Sequence, residues 1–98
     1  MTTAATPPRL LVVDDEPDLR TLYELTLLRE GYRVEAAANL AEAWQHLQAR
    51  QFDAVITDMR LPDGTGLDLL ARLEAAGRSE KAMVITAYGS PENAVEAL

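Results

Sequence analysis

Three acids in this chain stand where an apolar run gives out. Asp14 and Asp15 follow Arg9-Leu10-Leu11-Val12-Val13, and Asp58 follows Ala54-Val55-Ile56-Thr57. An acid at the carboxyl end of a buried strand is costly to place there without a reason, and in open α/β sheets ligands bind at that end. If the two strands are neighbours, three carboxylates meet. Like charges about 4 Å apart repel by on the order of 4 kcal/mol at an effective dielectric of 20. Such a cluster either raises a pKa or takes up a cation. Carboxylates with backbone carbonyls and water suit a hard, oxygen-seeking ion, and Mg²⁺ is the usual one where a phosphate is also handled. A carboxylate beside Mg²⁺ can attack a phosphoryl group and become an aspartyl phosphate, so Asp58 is read as a nucleophile. Thr86, at the end of a further strand, offers a hydroxyl to a phosphoryl oxygen.

The elements that must position these residues follow from the apolar pattern. The first run lacks alternation, which suits a strand covered on both faces of a parallel sheet. Pro17 opens a helix whose apolar face is Leu19, Leu22, Tyr23, Thr26 and Leu27. Leu25 and Leu28 widen that stripe, and Gly31 closes the helix. Tyr32 to Ala37 alternates, which predicts a second strand nearer an edge. Asn39 caps a second helix that turns Leu40, Ala43, Trp44 and Leu47 inward. After the Pro62 and Gly64 turn, Leu67, Leu70 and Ala71 with Leu69 and Leu73 predict a third helix ending near Gly77. Met83 to Ala87 is a fourth strand, and Ser90 with Pro91 begins a fourth helix. Such alternation predicts a parallel sheet with helices on both faces. Residues 1–8 read as a disordered lead-in to one domain over 9–98, which breaks off inside its last helix as a truncation would.

Composition narrows the function. Ninety-eight residues fit one domain, with 48% apolar and 26% charged residues as in ordinary globular proteins. There is no cysteine, which excludes disulfides and thiolate chemistry. No apolar run is long enough to span a membrane, and the first residues make no signal peptide, so the expected compartment is the cytoplasm. A net charge of −7 argues against direct nucleic-acid binding by this segment, because that affinity comes from Lys and Arg.

Three stretches together carry a resemblance: Val12-Val13-Asp14-Asp15-Glu16-Pro17, then Thr57-Asp58-Met59-Arg60-Leu61-Pro62-Asp63-Gly64-Thr65-Gly66, then Ile85-Thr86-Ala87-Tyr88. In order, spacing and strand-end position they resemble the receiver domain of bacterial two-component response regulators. The Asp-Met-Arg-Leu-Pro-Asp-Gly and Ile-Thr-Ala-Tyr-Gly-Ser runs further resemble the NtrC-like subgroup and, within it, regulators of pilin transcription. The resemblance implies a flavodoxin-like, doubly wound α/β fold of strand order 2-1-3-4-5, here 2-1-3-4 with the fifth strand and helix missing. It implies that Asp58 is the phosphoacceptor and that Mg²⁺ is held by Asp15, Asp58 and the Arg60 backbone carbonyl, with Asp14 acting through water. It makes Thr86 the switch hydroxyl and Ala87 the small residue that leaves the phosphoryl group room. The implied partners are a sensor histidine kinase and a second copy in a homodimer, with ATPase and DNA-binding domains following to control transcription. One departure stands out. The family's phosphate-clamping lysine and its switch aromatic belong to the missing strand, and Lys81 opens the fourth strand at the wrong end to replace the former.

Plainer readings of the same residues remain. Asp14, Asp15 and Glu16 can serve as cap and first-turn acids on the helix dipole, with Glu16 the best case for a purely structural role. Asp63 reads as turn chemistry. Tyr88 is either a partner contact or a loop aromatic, Trp44 is core, and His46 lies off the apolar face as a solvated residue. Two other functions compete. An Mg²⁺-dependent phosphatase on a similar sheet carries a second acid two residues after the nucleophile, where this chain has Arg60. A phosphodiester enzyme of that kind needs a Glu after the first strand and a later Asp-x-Asp, and no such pair stands here. The other is a phosphorylation-independent interaction module that pairs through an exposed edge of the fourth strand.

Overall fold

In a computed structural model, which describes residues 6–85, the first apolar run forms β1 (Arg9–Val13). Helix α1 (Pro17–Arg29) follows, then β2 (Arg33–Ala37), α2 (Leu40–Ala49) and β3 (Ala54–Asp58). Two short strands, β4 (Arg60–Leu61) and β5 (Gly64–Thr65), precede α3 (Gly66–Ala75) and β6 (Lys81–Ile85). The four long strands form a parallel sheet in the order β2-β1-β3-β6. This is the expected 2-1-3-4 arrangement, with β6 as the fourth long strand and β2 at an edge. The β4–β5 antiparallel ribbon was not expected. Strand β3 runs one residue further than the pattern implied and takes in Asp58, while β6 starts two residues early, at Lys81. Thr86, Ala87, Tyr88 and the helix expected from Ser90 lie outside the described residues.

The sheet separates two apolar layers. Leu11, Val13 and Val55 pack with Leu40, Ala43 and Leu47 of α2 and with Leu69 and Leu73 of α3, and Phe52 and Leu61 close the ends. Trp44 lies at the margin of this core, with the Arg72 guanidinium 4.4 Å from its ring centre, a cation–π contact. Alternation sends Leu10 and Val12 to the opposite face, where α1 packs against β1 and β2. Helices therefore cover both faces.

Two helices are turned differently from what their leucines suggest. In α3 the buried residues are Gly66, Leu69 and Leu73, while Leu67 is 55% exposed. The rotation is set by Gly66, whose backbone lies so close to Asp58 that a Cβ would come 2.6 Å from the Asp58 carbonyl. The residues three and seven positions on must then face inward. In α1 no residue is fully buried, and Leu22, Leu25 and Leu28 are about half exposed. Gly31 (φ +96°) supplies the left-handed residue that closes α1.

Polar contacts between distant segments fix the frame. Asn39 caps α2 as expected, accepting from the Glu42 N–H at 2.8 Å. Asp63, read as a local turn residue, also caps that helix. Its Oδ1 accepts from the Leu40 N–H at 2.8 Å and its Oδ2 from the Ala41 N–H at 3.1 Å. The Leu40 bond, followed by the Ala41 bond, holds the Asp63 carboxyl below its usual range despite some burial. A depressed acid adds stability that is full above its unfolded pKa and is lost as pH falls through the folded one. Asp63→Ala should therefore destabilise the fold by about 1 kcal/mol at pH 7, as other cap deletions do. The deficit should shrink as pH falls below the ordinary carboxyl range, which thermal melts across acid pH will read.

Glu35 is a second junction. Arg9 Nη1 lies 2.9 Å and Arg50 Nη1 3.1 Å from its Oε2, and His46 Nδ1 is 2.9 Å from its Oε1. His46 is thus part of a clamp between α2 and β2 rather than a solvated bystander. Burial pushes the Glu35 carboxyl up, but the Arg9 and His46 bonds and the Arg50 charge outweigh it and hold the group below its usual range.

Candidate functional site

The parallel register decides where the acids arrive. Val13 is paired with both Ala37 and Thr57, so the aspartates that follow Val13 and Thr57, Asp14 and Asp58, arrive level at the carboxyl edge. Asp14 and Asp15 occupy the connection from β1 to α1. Asp58 is the last residue of β3, opposite Ile85. Carboxylate oxygens of Asp14, Asp15 and Asp58 all lie within 4.8 Å of one another. They line an open cavity of about 330 Å³ together with Leu19 of α1, Arg60 and Pro62.

The three acids differ in surroundings. Asp14 is 2% exposed, Asp58 is half-buried and Asp15 faces solvent. Asp14 Oδ1 accepts from the Glu16 N–H at 2.9 Å, and its Oδ2 has no donor among the described residues. Glu16 sits at the N-cap of α1 without a side-chain capping bond, so its contribution there is its backbone. Asp58 is pushed above the usual carboxyl range, first by burial and then by the charge of Asp14, with Asp15 adding a smaller push. The amides of Met59 and Arg60 pull it back in part. Tyr23 on α1 feels the same negative field, its phenol being raised by burial and then by Asp14 and Asp58.

The backbone after Asp58 is held on three sides. The Met59 N–H donates to the Ile85 carbonyl at 3.0 Å, keeping the chain on β6 for one more residue. The Gly66 N–H donates to the Met59 carbonyl at 2.8 Å and closes the turn. Arg60 pairs with Thr65, and Leu61 with Gly64, in the β4–β5 ribbon. Thr65 then starts α3 with a reciprocal cap: its hydroxyl accepts from the Asp68 N–H, and the Asp68 carboxylate accepts from the Thr65 N–H. Thr57, fully buried, donates its hydroxyl to the Asp58 carbonyl at 2.9 Å. The residues that fix Asp58 are therefore Thr57, Gly66 and the ribbon, none of which the residue pattern singled out for that role. The Gly-Thr-Gly sequence was the available signal, since glycines mark close backbone approach.

Taken as chemistry, the site is a set of hard oxygen donors with a raised nucleophile candidate among them. It fits a small divalent cation: three carboxylates converge, and one of them is buried with an oxygen that has no donor among the described residues.

A parallel sheet of this order with three acids at its carboxyl edge defines a class, and a sequence model of that class, the response regulator receiver domain, matches residues 10–98; the chain belongs to that family. It is 46% identical over 90 residues to the response regulator protein PilR of Pseudomonas aeruginosa, covering 92% of this chain and 20% of PilR. It is 34% identical over 88 residues to the DNA-binding transcriptional regulator NtrC of Rhizobium meliloti, covering 90% of this chain and 18% of NtrC. The NtrC-like subgroup expected from the motifs is thus where its relatives lie. The chain spans about a fifth of the length of these two relatives. Among solved structures, it matches response regulator TrrA of Thermotoga maritima, crystallised in complex with Mg²⁺-BeF, at a TM-score of 0.78 and 35% identity. That match covers 84% of this chain and 71% of TrrA. No helix among the described residues is long and apolar enough to cross a membrane.

Proposed function

We propose that this chain takes a phosphoryl group onto Asp58 from the phosphohistidine of a sensor kinase, with Mg²⁺ in the acid pocket. The observation that carries the reading is the convergence of three carboxylates at the ends of β1 and β3. Asp15, Asp58 and the Arg60 carbonyl would hold the ion, and Asp14 would reach it through water. Mg²⁺, when bound, neutralises charge on the phosphoryl oxygens. An Asp58 oxygen attacks phosphorus, the P–N bond to the histidine breaks, and the bonding pair leaves with the imidazole. Attack requires the ionised carboxylate, so the raised pKa of Asp58 makes the reaction slow in acid. Thr86 and Ala87 are assigned the sensing hydroxyl and the space beside the phosphoryl group, and Tyr88 a place on the partner face. The receiver would act in the cytoplasm, homodimerise, and control transcription through domains beyond this segment. It is a signalling domain, and the transfer is catalysed within its own site.

Intact mass after incubation with a small phosphodonor and Mg²⁺ tests the assignment. The parent should gain one phosphoryl group, and Asp58→Asn none. Labelling of Asp58→Asn as efficient as that of the parent would place the acceptor elsewhere.

A further inference from the structure

One residue of α1 grips the acid-bearing connection from both sides. The Arg20 N–H donates to the Glu16 carbonyl at 2.9 Å, closing the first turn of the helix. The Arg20 guanidinium, through Nη1, donates to the Asp14 carbonyl at 2.9 Å. Those two carbonyls bracket Asp15. Asp14 is also anchored from the sheet side, its N–H donating to the Ala37 carbonyl at 3.0 Å, and its Oδ1 accepts from the Glu16 N–H. Among the described residues, the carbonyl of the peptide between Asp14 and Asp15 is therefore fixed by a side chain alone. Without the guanidinium that carbonyl, in a residue 2% exposed, loses its donor, and an unsatisfied buried carbonyl drives the peptide plane to turn. Turning it swings the Asp15 carboxylate, the most solvent-facing of the three acids.

A guanidinium stays charged at all working pH values, so Arg20 acts on the pocket in two opposed ways. As a charge held at the Asp14 carbonyl it disfavours a second cation nearby. As a donor it holds the geometry that a cation needs. The two roles predict opposite signs when the residue is removed, which makes them separable. We infer that Arg20 is a positioning residue for the Asp14–Asp15 pair, and that its hydrogen bond to the Asp14 carbonyl outweighs its charge in setting affinity for a divalent cation. The inference rests on the Mg²⁺ reading given above.

The test is a MgCl₂ titration of the whole 98-residue chain, followed on the backbone amides of Asp14, Asp15 and Asp58 by NMR, for the parent, Arg20→Ala and Arg20→Lys. Arg20→Ala should bind Mg²⁺ roughly 10-fold more weakly, the scale seen when a residue supporting metal ligands is lost. Arg20→Lys, which keeps one donor and the charge, should recover most of the loss. Without Mg²⁺, the Glu16 amide should exchange with solvent faster in Arg20→Ala than in the parent, a readout that needs no metal. Unchanged or tighter Mg²⁺ binding by Arg20→Ala overturns the inference, as does a lysine variant no better than alanine. Parent amides that ignore Mg²⁺ would instead sink the metal reading on which it rests.

Discussion

Asp58→Asn is expected to fold more stably than the parent at neutral pH in the absence of divalent ions, by about 1–3 kcal/mol. Oxygens of the three acids lie within 4.8 Å of one another. At that separation a pair of charges repels by on the order of 3 kcal/mol at an effective dielectric of 20, and by about 1 kcal/mol with the screening of water. Asparagine keeps the shape and removes one charge from every pair that includes residue 58. The sign with pH follows from the raised pKa, whose largest cause is burial and whose second is Asp14. An acid raised on folding costs nothing below its unfolded pKa, and its cost grows as pH climbs through the folded value. The advantage of Asp58→Asn should thus be small near pH 3, grow above the ordinary carboxyl range, and level off toward neutrality. Thermal melts will read it easily, since about 1 kcal/mol moves the midpoint of a domain this size by roughly 4–8 °C. Mg²⁺ should reverse the ranking, raising the parent midpoint by mass action far more than that of the variant. An Asp58→Asn chain less stable than the parent at pH 7 without Mg²⁺ would show that the acids are not a strained cluster.

The second large effect belongs to Gly66. At the first position of α3 an alanine would favour the helix by about 1 kcal/mol on propensity alone. Its Cβ, however, would stand 2.6 Å from the Asp58 carbonyl oxygen and 2.9 Å from Thr57 Cγ2. The nearer atom is backbone in the strand that carries the site, so the helix must back away. Gly66→Ala should lose about 2 kcal/mol net, at the middle of the range for overpacking, and Gly66→Val more. Because the displaced atoms belong to Asp58, Mg²⁺-dependent phosphoryl uptake should fall several-fold even at temperatures where the variant is folded. Gly77→Ala is the control. It has open space around it and φ +68°, so it should cost about 1 kcal/mol of backbone strain and leave uptake intact. Denaturant melts with an uptake assay at low temperature separate the two.

The strand ends were legible because they rest on local patterns. Apolar runs of four or five residues with acids behind them can be read without knowing what they touch, and β1, β3 and β6 appeared close to where the runs placed them. What escaped depends on contacts between distant segments. The β4–β5 ribbon has two-residue strands, too short to show a period. The facing of α3 is dictated by Gly66 against Asp58, so counting leucines put Leu67 on the wrong side. Asp63 looked like a turn residue because its own neighbours are Pro62 and Gly64, whereas the amides it caps are in α2. Glu35 draws Arg9, His46 and Arg50 from two other elements, and nothing local announces such a hub.

The parallel register also has a consequence for how the chain is made. Leu10 of β1 pairs with Val34 on one side and Ala54 on the other, and Ala54 in turn pairs with Lys81. The strand between β2 and β3 is thus made before either of the strands it pairs with. At about 5–20 residues per second β1 waits seconds for β3, with its apolar residues unpaired. Until β3 follows, the apolar run of β1 is exposed to aggregation or chaperone capture. A synthesis-coupled protease assay should show no resistant sheet until the ribosome has released residues well past Asp58.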